Sequence, residues 1–273
     1  MSYSLKQVSN TVYTLIFTSL LLPLSAASAK DVSDEMILIK GSKFHYVQEN
    51  RMREGLELKP FHEGPLGDAY IDEYWIELED YYIDKCEVTN KQFKEFLDAS
   101  GYKPEWSMNF LKHWKKGTYP RGKGNHPVVY VDFNDAKAYA VWAGKALPSE
   151  AQWQYAAQGQ EYRDLPWGSQ WDPTRANVNT KGTKTVGSYP SGASPFGVLD
   201  MVGNVAEMTD SFNDDGWHWF SYVRGGSWFQ AFGSLWYVEN GLLTNTQRVK
   251  FWWLNPGFNR SPAIGFRCVK KVE

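Results

Sequence analysis

The sequence predicts an α+β domain with little regular secondary structure, and three observations carry that prediction. Helix signals crowd into the stretch between Thr89 and Gly159. After Leu165 the chain is dominated by Gly, Pro, Asn, Ser and aromatic residues, with only short strand-like runs. No regular alternation of strands and helices, the pattern that builds parallel sheets, is present. With 42% hydrophobic, 22% charged and 16% aromatic residues, the composition is that of a folded chain rather than a disordered one. Its 273 residues allow one or two domains, and no internal repeat or low-complexity linker divides them.

Residues 1–29 differ in character from the rest of the chain. Lys6 is their only charged side chain, residues 12–24 are almost entirely apolar, and Ala27-Ser28-Ala29 fits a small-residue cleavage site. This pattern predicts a signal peptide, an uncleaved N-terminal anchor being the alternative, and leaves residues 30–273 as one domain in the periplasm or outside the cell. No later stretch is apolar enough to span a membrane. Losing Lys6 takes the net charge from −2 to −3. Both signs are interspersed, so nothing marks a nucleic-acid partner.

Met36-Ile37-Leu38-Ile39 followed by Gly41 reads as a strand and turn, and residues 75–88 alternate well enough for further strands. Between them residues 48–70, charged and containing Gly55, Pro60, Gly64, Pro65 and Gly67, read as a loop. The first helix starts at Thr89, where Thr89 and Gln92 form a capping box and Val88 and Phe93 a hydrophobic staple. Phe93, Phe96 and Leu97 give it an apolar face, and Gly101 ends it. A second helix is expected after Asp132, running through Ala136, Ala140 and Val141 to Gly144. A third opens with the Ser149/Gln152 box and buries Trp153, Ala156 and Ala157 before Gly159. Later, Tyr222-Val223-Arg224 and Gly265-Phe266-Arg267-Cys268-Val269 are short strand candidates.

Cys86 and Cys268 are the only cysteines. In an exported chain they read as a disulfide, which would contribute about 4 to 5 kcal/mol on chain entropy, with two separate buried thiols as the alternative. The histidines His45, His62, His113, His126 and His218 are scattered without metal-ligand spacing and read as ordinary side chains.

The order of motifs resembles the sulfatase-modifying, formylglycine-generating enzyme family. The match includes Met36-Ile37-Leu38-Ile39-Lys40-Gly41, Tyr82-Ile83-Asp84-Lys85-Cys86-Glu87-Val88-Thr89-Asn90 and Ala146-Leu147-Pro148-Ser149-Glu150-Ala151-Gln152-Trp153. Further along come Val202-Gly203-Asn204-Val205-Ala206-Glu207, Arg224-Gly225-Gly226-Ser227-Trp228 and Gly265-Phe266-Arg267-Cys268. The resemblance implies an elaborated C-type-lectin-like fold. It also implies a chemistry in which two cysteine thiolates bind copper(I) and use oxygen to oxidise a substrate cysteine. Those two positions fall at Gln230 and near Leu235, neither of which carries sulfur, so copper is not expected.

A calcium site is implied at Asp200, Gly203, Val205 and Glu207, an oxygen-rich set of the kind calcium requires. Ala206 and Met208 replace the family's usual aromatics and would reshape one wall of the cleft. Some relatives bridge the terminal cysteine to a helix position that is Ala140 here, which makes Cys86 the partner implied for Cys268. Two functions are expected from the resemblance. One is an altered oxidoreductase or maturation factor acting on a protein, peptide or small molecule, with Arg224, Ser227, Trp228 and Gln230 lining its cleft and no assigned catalytic residue. The other is a noncatalytic binding module using the aromatic C-terminal loops, where Trp217, Trp219, Trp228, Trp236, Trp252 and Trp253 are concentrated.

Overall fold

The computed structural model describes residues 32–50, 70–214, 219–229, 241–253 and 260–273. The expected signal peptide, His62, His218, Gln230 and Leu235 lie outside them. Two sheets organise the domain. Strands β1 (Met36–Ile39), β4 (Tyr81–Asp84) and β9 (Val269–Lys271) form the smaller one, in the order β1-β4-β9 and antiparallel throughout. The larger one runs β3-β2-β7-β6-β5-β8, built from β2 (Lys43–Asn50), β3 (Tyr70–Glu77), β5 (Ala206–Asp214), β6 (Trp219–Arg224), β7 (Gln247–Trp253) and β8 (Ile264–Phe266). Its β2/β7 and β5/β8 pairs are parallel and the others antiparallel.

Three helices, α1 (Asn90–Ser100), α2 (Phe133–Trp142) and α3 (Glu150–Gln158), start where the sequence places them. Thr89 and Gln92 exchange both bonds of a capping box, as do Ser149 and Gln152. The start of α2 carries a third box, in which Asp132 and Asp135 bond each other's backbone N–H. Each box satisfies donors that a helix start otherwise leaves unpaired, which is why short helices hold their ends here. Gly101 takes a left-handed conformation (φ 65°) and its N–H donates to Leu97 O, closing α1.

The stretch expected to form strands over residues 75–88 is divided: β3 ends at Glu77, β4 covers Tyr81–Asp84, and residues 85–88 leave the ladder. The stretch expected as a loop is shorter than residues 48–70. Gln48, Glu49 and Asn50 continue β2, and Asn50 pairs with Tyr70. The buried alternation Phe44, Tyr46, Gln48 carries the pairing past the point where charged residues suggested a break. β6 is longer than the run Tyr222-Val223-Arg224 read from sequence, and β5 was not read as a strand at all, because polar residues interrupting its hydrophobic pattern are buried with partners. Thr209, for example, donates to Glu150 Oε1 at 2.6 Å.

The largest apolar cluster packs α1 and α2 against β5, β6 and β8 through Phe93, Tyr139, Met208, Val223 and Phe266. A second, under α3, gathers Ile39, Phe44, Tyr81, Ile83, Trp153 and Met201. Between α3 and the large sheet, the fully buried Arg224 donates from Nε and Nη2 to Glu150 Oε2 at 3.1 and 2.8 Å, and from Nη2 to Tyr46 Oη at 2.7 Å. Removing one partner of such a pair costs about 3–5 kcal/mol, because the other charge stays in the dry interior.

A surface loop and a buried carboxylate pocket

The loop of residues 225–229 leaves β6 through two glycines whose geometry admits nothing else. Gly225 and Gly226 both have left-handed φ, and a Cβ on Gly226 would stand 2.1 Å from Gly241 O. Backbone bonds then fix the loop from three sides. Ser227 N–H donates to Gly241 O at 2.7 Å, Trp228 N–H to Asn204 O at 3.1 Å, and Thr180 N–H to Trp228 O at 2.9 Å. The Trp228 indole donates to Pro262 O at 3.1 Å and meets the ring of Phe229 edge-on at 5.5 Å. Phe229 is 46% exposed. The outcome is an aromatic edge held in place by backbone and indole hydrogen bonds.

Of the expected cleft residues, the structure brings Ser227 and Trp228 to this loop. Ser227 Oγ accepts from Phe229 N at 3.2 Å. Arg224 does not line a cleft: its guanidinium is wholly enclosed by Glu150, Tyr46 and Asn245 O. Gln230, Trp217 and Trp236 lie outside the described residues, as do the side chains of Trp219, Trp252 and Trp253. Ala206 and Met208 are buried in the largest apolar cluster, so they fill core instead of reshaping a cleft wall.

The four residues expected at a calcium site lie on the turn from Asp200 into β5. Asp200 has φ 56° and is buried, and Gly203 (φ 83°) is required because a Cβ there would meet Asn177 O at 2.7 Å. Glu207 accepts from Arg267 at both carboxylate oxygens, each at 2.6 Å, and from the Trp153 indole at 2.7 Å. Sequence reasoning missed a fifth member, Glu87. It is fully buried, its Oε1 accepts from Asn204 Nδ2 at 2.9 Å, and its Oε2 has no hydrogen-bond partner. Burial first, then the charges of Asp200 and Glu207, push the Glu87 carboxyl well above the usual range. Burial also raises Asp200.

Three carboxyl groups therefore meet one guanidinium in a dry pocket, and an oxygen of Glu87 is left over. That oxygen could take up a hard divalent cation only by giving up the proton that burial and the neighbouring carboxyls hold on Glu87. No group of three His, Cys, Asp or Glu side chains stands in metal-holding geometry among the described residues. Any cation here would thus depend on backbone carbonyls such as those of Gly203 and Val205. The signal for Glu87 was present in the sequence as an acid between the apolar stretch of β4 and the α1 cap, but it fell in the stretch 75–88 expected to form strands and was given no role of its own.

The expected disulfide is not formed. Cys86 and Cys268 are both buried free thiols. Cys86 packs with Val186 and Leu199, whereas Cys268 belongs to the Phe93/Tyr139 cluster, so each sulfur is enclosed by a different set of side chains. Among the described histidines, burial lowers His113 and His126 to about 4, which keeps both neutral.

Residues 23–272 match the family described as "Sulfatase-modifying factor enzyme 1-like domain". The chain is 30% identical over 254 residues to "Inactive C-alpha-formylglycine-generating enzyme 2" of Bos taurus, covering 76% of this chain and 80% of that protein. It is 33% identical over 257 residues to "Serine/threonine-protein kinase pkn1" of Chlamydia caviae; the match covers 88% of this chain but only 38% of that longer protein. Among solved structures, CarF superposes with a TM-score of 0.58 at 20% identity, covering 89% of this chain and all of that one. That likeness shows a shared fold.

Proposed function

The chain belongs to the sulfatase-modifying factor enzyme 1-like family, and from that premise we propose that it is an exported member that recognises a partner without copper-dependent formylglycine formation. One observation carries the reading: the chain's only two thiols are buried in separate apolar clusters, and the described loop offers Ser227, Trp228 and Phe229 instead. Thiolates bind copper(I) because they are soft and charged. Burial pushes both thiols here strongly upward, which keeps them protonated. The Bos taurus relative, named as inactive, supports the same direction.

Export rests on the pattern of residues 1–29, and no described helix is long and apolar enough to cross a membrane. Calcium is part of the reading. The carbonyls of Gly203 and Val205, with Asp200 and the unbonded oxygen of Glu87, would hold it, Glu207 staying committed to Arg267 and Trp153, and it would supply charge neutralisation beneath the loop. Asn204 ties the two regions together, since its side chain bonds Glu87 while its carbonyl accepts from Trp228. An altered oxidoreductase draws less support, because no side chain of the described loop is a thiol, imidazole or carboxylate.

The experiment is an oxygen-electrode assay of the reduced protein with copper(I) and a cysteine-containing peptide in air. The reading predicts uptake equal to a protein-free control. Uptake proportional to protein concentration, with loss of the peptide thiol, would overturn it.

A further inference from the structure

Among the described residues, strand β3 occupies one edge of the six-stranded sheet and pairs with β2 from Asn50↔Tyr70 to Lys43↔Glu77 without a register shift. Phe44 and Tyr46 of β2 point into the core, so alternation places Glu73, Trp75 and Glu77 on the opposite, outer face. All three are exposed, Trp75 by 58%. Natural edge strands are blunted by charged side chains, above all lysine, by proline, by a bulge or by brevity, and the charges on this one, Asp72, Glu73 and Glu77, are all acidic. The eight residues of β3, Tyr-Ile-Asp-Glu-Tyr-Trp-Ile-Glu, contain neither Lys nor Pro, and the pairing is straight. Such an edge presents a row of backbone donors and acceptors to an incoming strand.

The side chains say which strand would fit. Trp75 already attracts a cation within the chain: Lys43 Nζ stands 5.3 Å from its ring centroid, and His45 stacks on it at 4.8 Å. Two carboxylates, Glu73 and Glu77, flank the ring two residues away on either side of the same face, and Glu73 also lies 3.4 Å from His45 Nε2. In a self-pair centred antiparallel on Trp75, Glu73 would face the partner copy's acid, and like charges directly opposite destabilise a strand pair. A strand carrying Lys or Arg at alternate positions meets the opposite situation, with charge pairing at Glu73 and Glu77 and a cation–π contact at Trp75.

We propose that β3 is a docking edge for an extended basic segment of a partner protein, added as a seventh strand with a Lys or Arg over Trp75. Main-chain bonds supply the general affinity, and the Glu73-Trp75-Glu77 stripe supplies the preference for basic side chains. The inference goes beyond the proposed function and uses neither the Trp228 loop nor the carboxylate pocket.

The test titrates the full chain by calorimetry with a synthetic peptide alternating lysine and valine, and with its counterpart carrying glutamate for lysine. The lysine peptide is expected to bind, more weakly as salt is raised, and the glutamate peptide not to bind. Glu73→Lys combined with Glu77→Lys should weaken the lysine peptide by tenfold or more at an unchanged melting temperature, while Trp228→Ala should leave it unchanged. Equal affinity for both peptides, no binding of either, or an unaltered affinity in the Glu73/Glu77 variant would overturn the proposal. Should that variant fail to fold, hydrogen exchange of the unmodified protein decides. New protection confined to β3 on adding the lysine peptide supports the docking edge, and protection only elsewhere overturns it. A concentration-dependent dimer abolished by Glu73→Lys would assign the edge to a second copy and likewise contradict it.

Discussion

Arg267 holds Glu207 through both carboxylate oxygens, each at 2.6 Å, with both side chains sealed from solvent. The same guanidinium donates to the carbonyls of Asp84, Lys85 and Leu199, so one side chain from the C-terminal segment ties together the end of β4, the approach to the Asp200 turn and the start of β5. Replacing Arg267 with Met leaves Glu207 buried without its counter-charge. The expected loss is about 3–5 kcal/mol of stability, read as a lower urea midpoint. A midpoint unchanged within error would show that the pair contributes nothing net.

Asp135 gives a pH dependence of defined sign. Burial first, then the charge of Asp132, raises its carboxyl from the ordinary 3.8 to about 6, despite the bond from Arg260 Nε at 2.8 Å. Because the folded state binds this proton more tightly than the unfolded one, the resulting stabilisation is complete below pH 3.8 and disappears as pH rises through about 6. Relative to Asp135→Asn, the wild type should therefore lose on the order of 2–3 kcal/mol across that window. Urea unfolding of both proteins across the window measures it, and a difference independent of pH would refute the assignment.

The cysteines should behave as two separate thiols. Alkylation of the unfolded protein without reductant is expected to modify both Cys86 and Cys268, and native protein should react slowly because burial holds both thiols protonated. A Cys86–Cys268 cross-linked peptide pair in a nonreducing mass map would contradict the separation of their environments.

Much of this fold is legible in sequence because its helix starts are written locally. Thr89/Gln92 and Ser149/Gln152 each place a hydroxyl and an amide three residues apart, and those pairs cap α1 and α3 as expected. What escaped is non-local. Glu87, Glu150 and Arg224 look like surface charges until distant partners enclose them, Arg224 meeting Glu150 across 74 positions of chain and Glu87 meeting Asn204 across 117. That is why Arg224 read as a cleft residue and Glu87 as nothing in particular. The disulfide expectation failed for a related reason. Compartment and count allow a bridge, but only packing shows that each sulfur lies in its own apolar cluster. The loop residues Ser227 and Trp228 were named because the Arg224-Gly225-Gly226-Ser227-Trp228 motif carries the family resemblance, and the structure places both on a loop that Gly225 and Gly226 turn through left-handed φ.

The proposed reading, recognition without copper chemistry above a pocket lined by carboxyl oxygens, requires a hard cation and no soft one. Metal analysis of the protein, purified without chelator, tests this most directly. Calcium near one per chain with copper far below stoichiometry is the predicted result, and stoichiometric copper would contradict it.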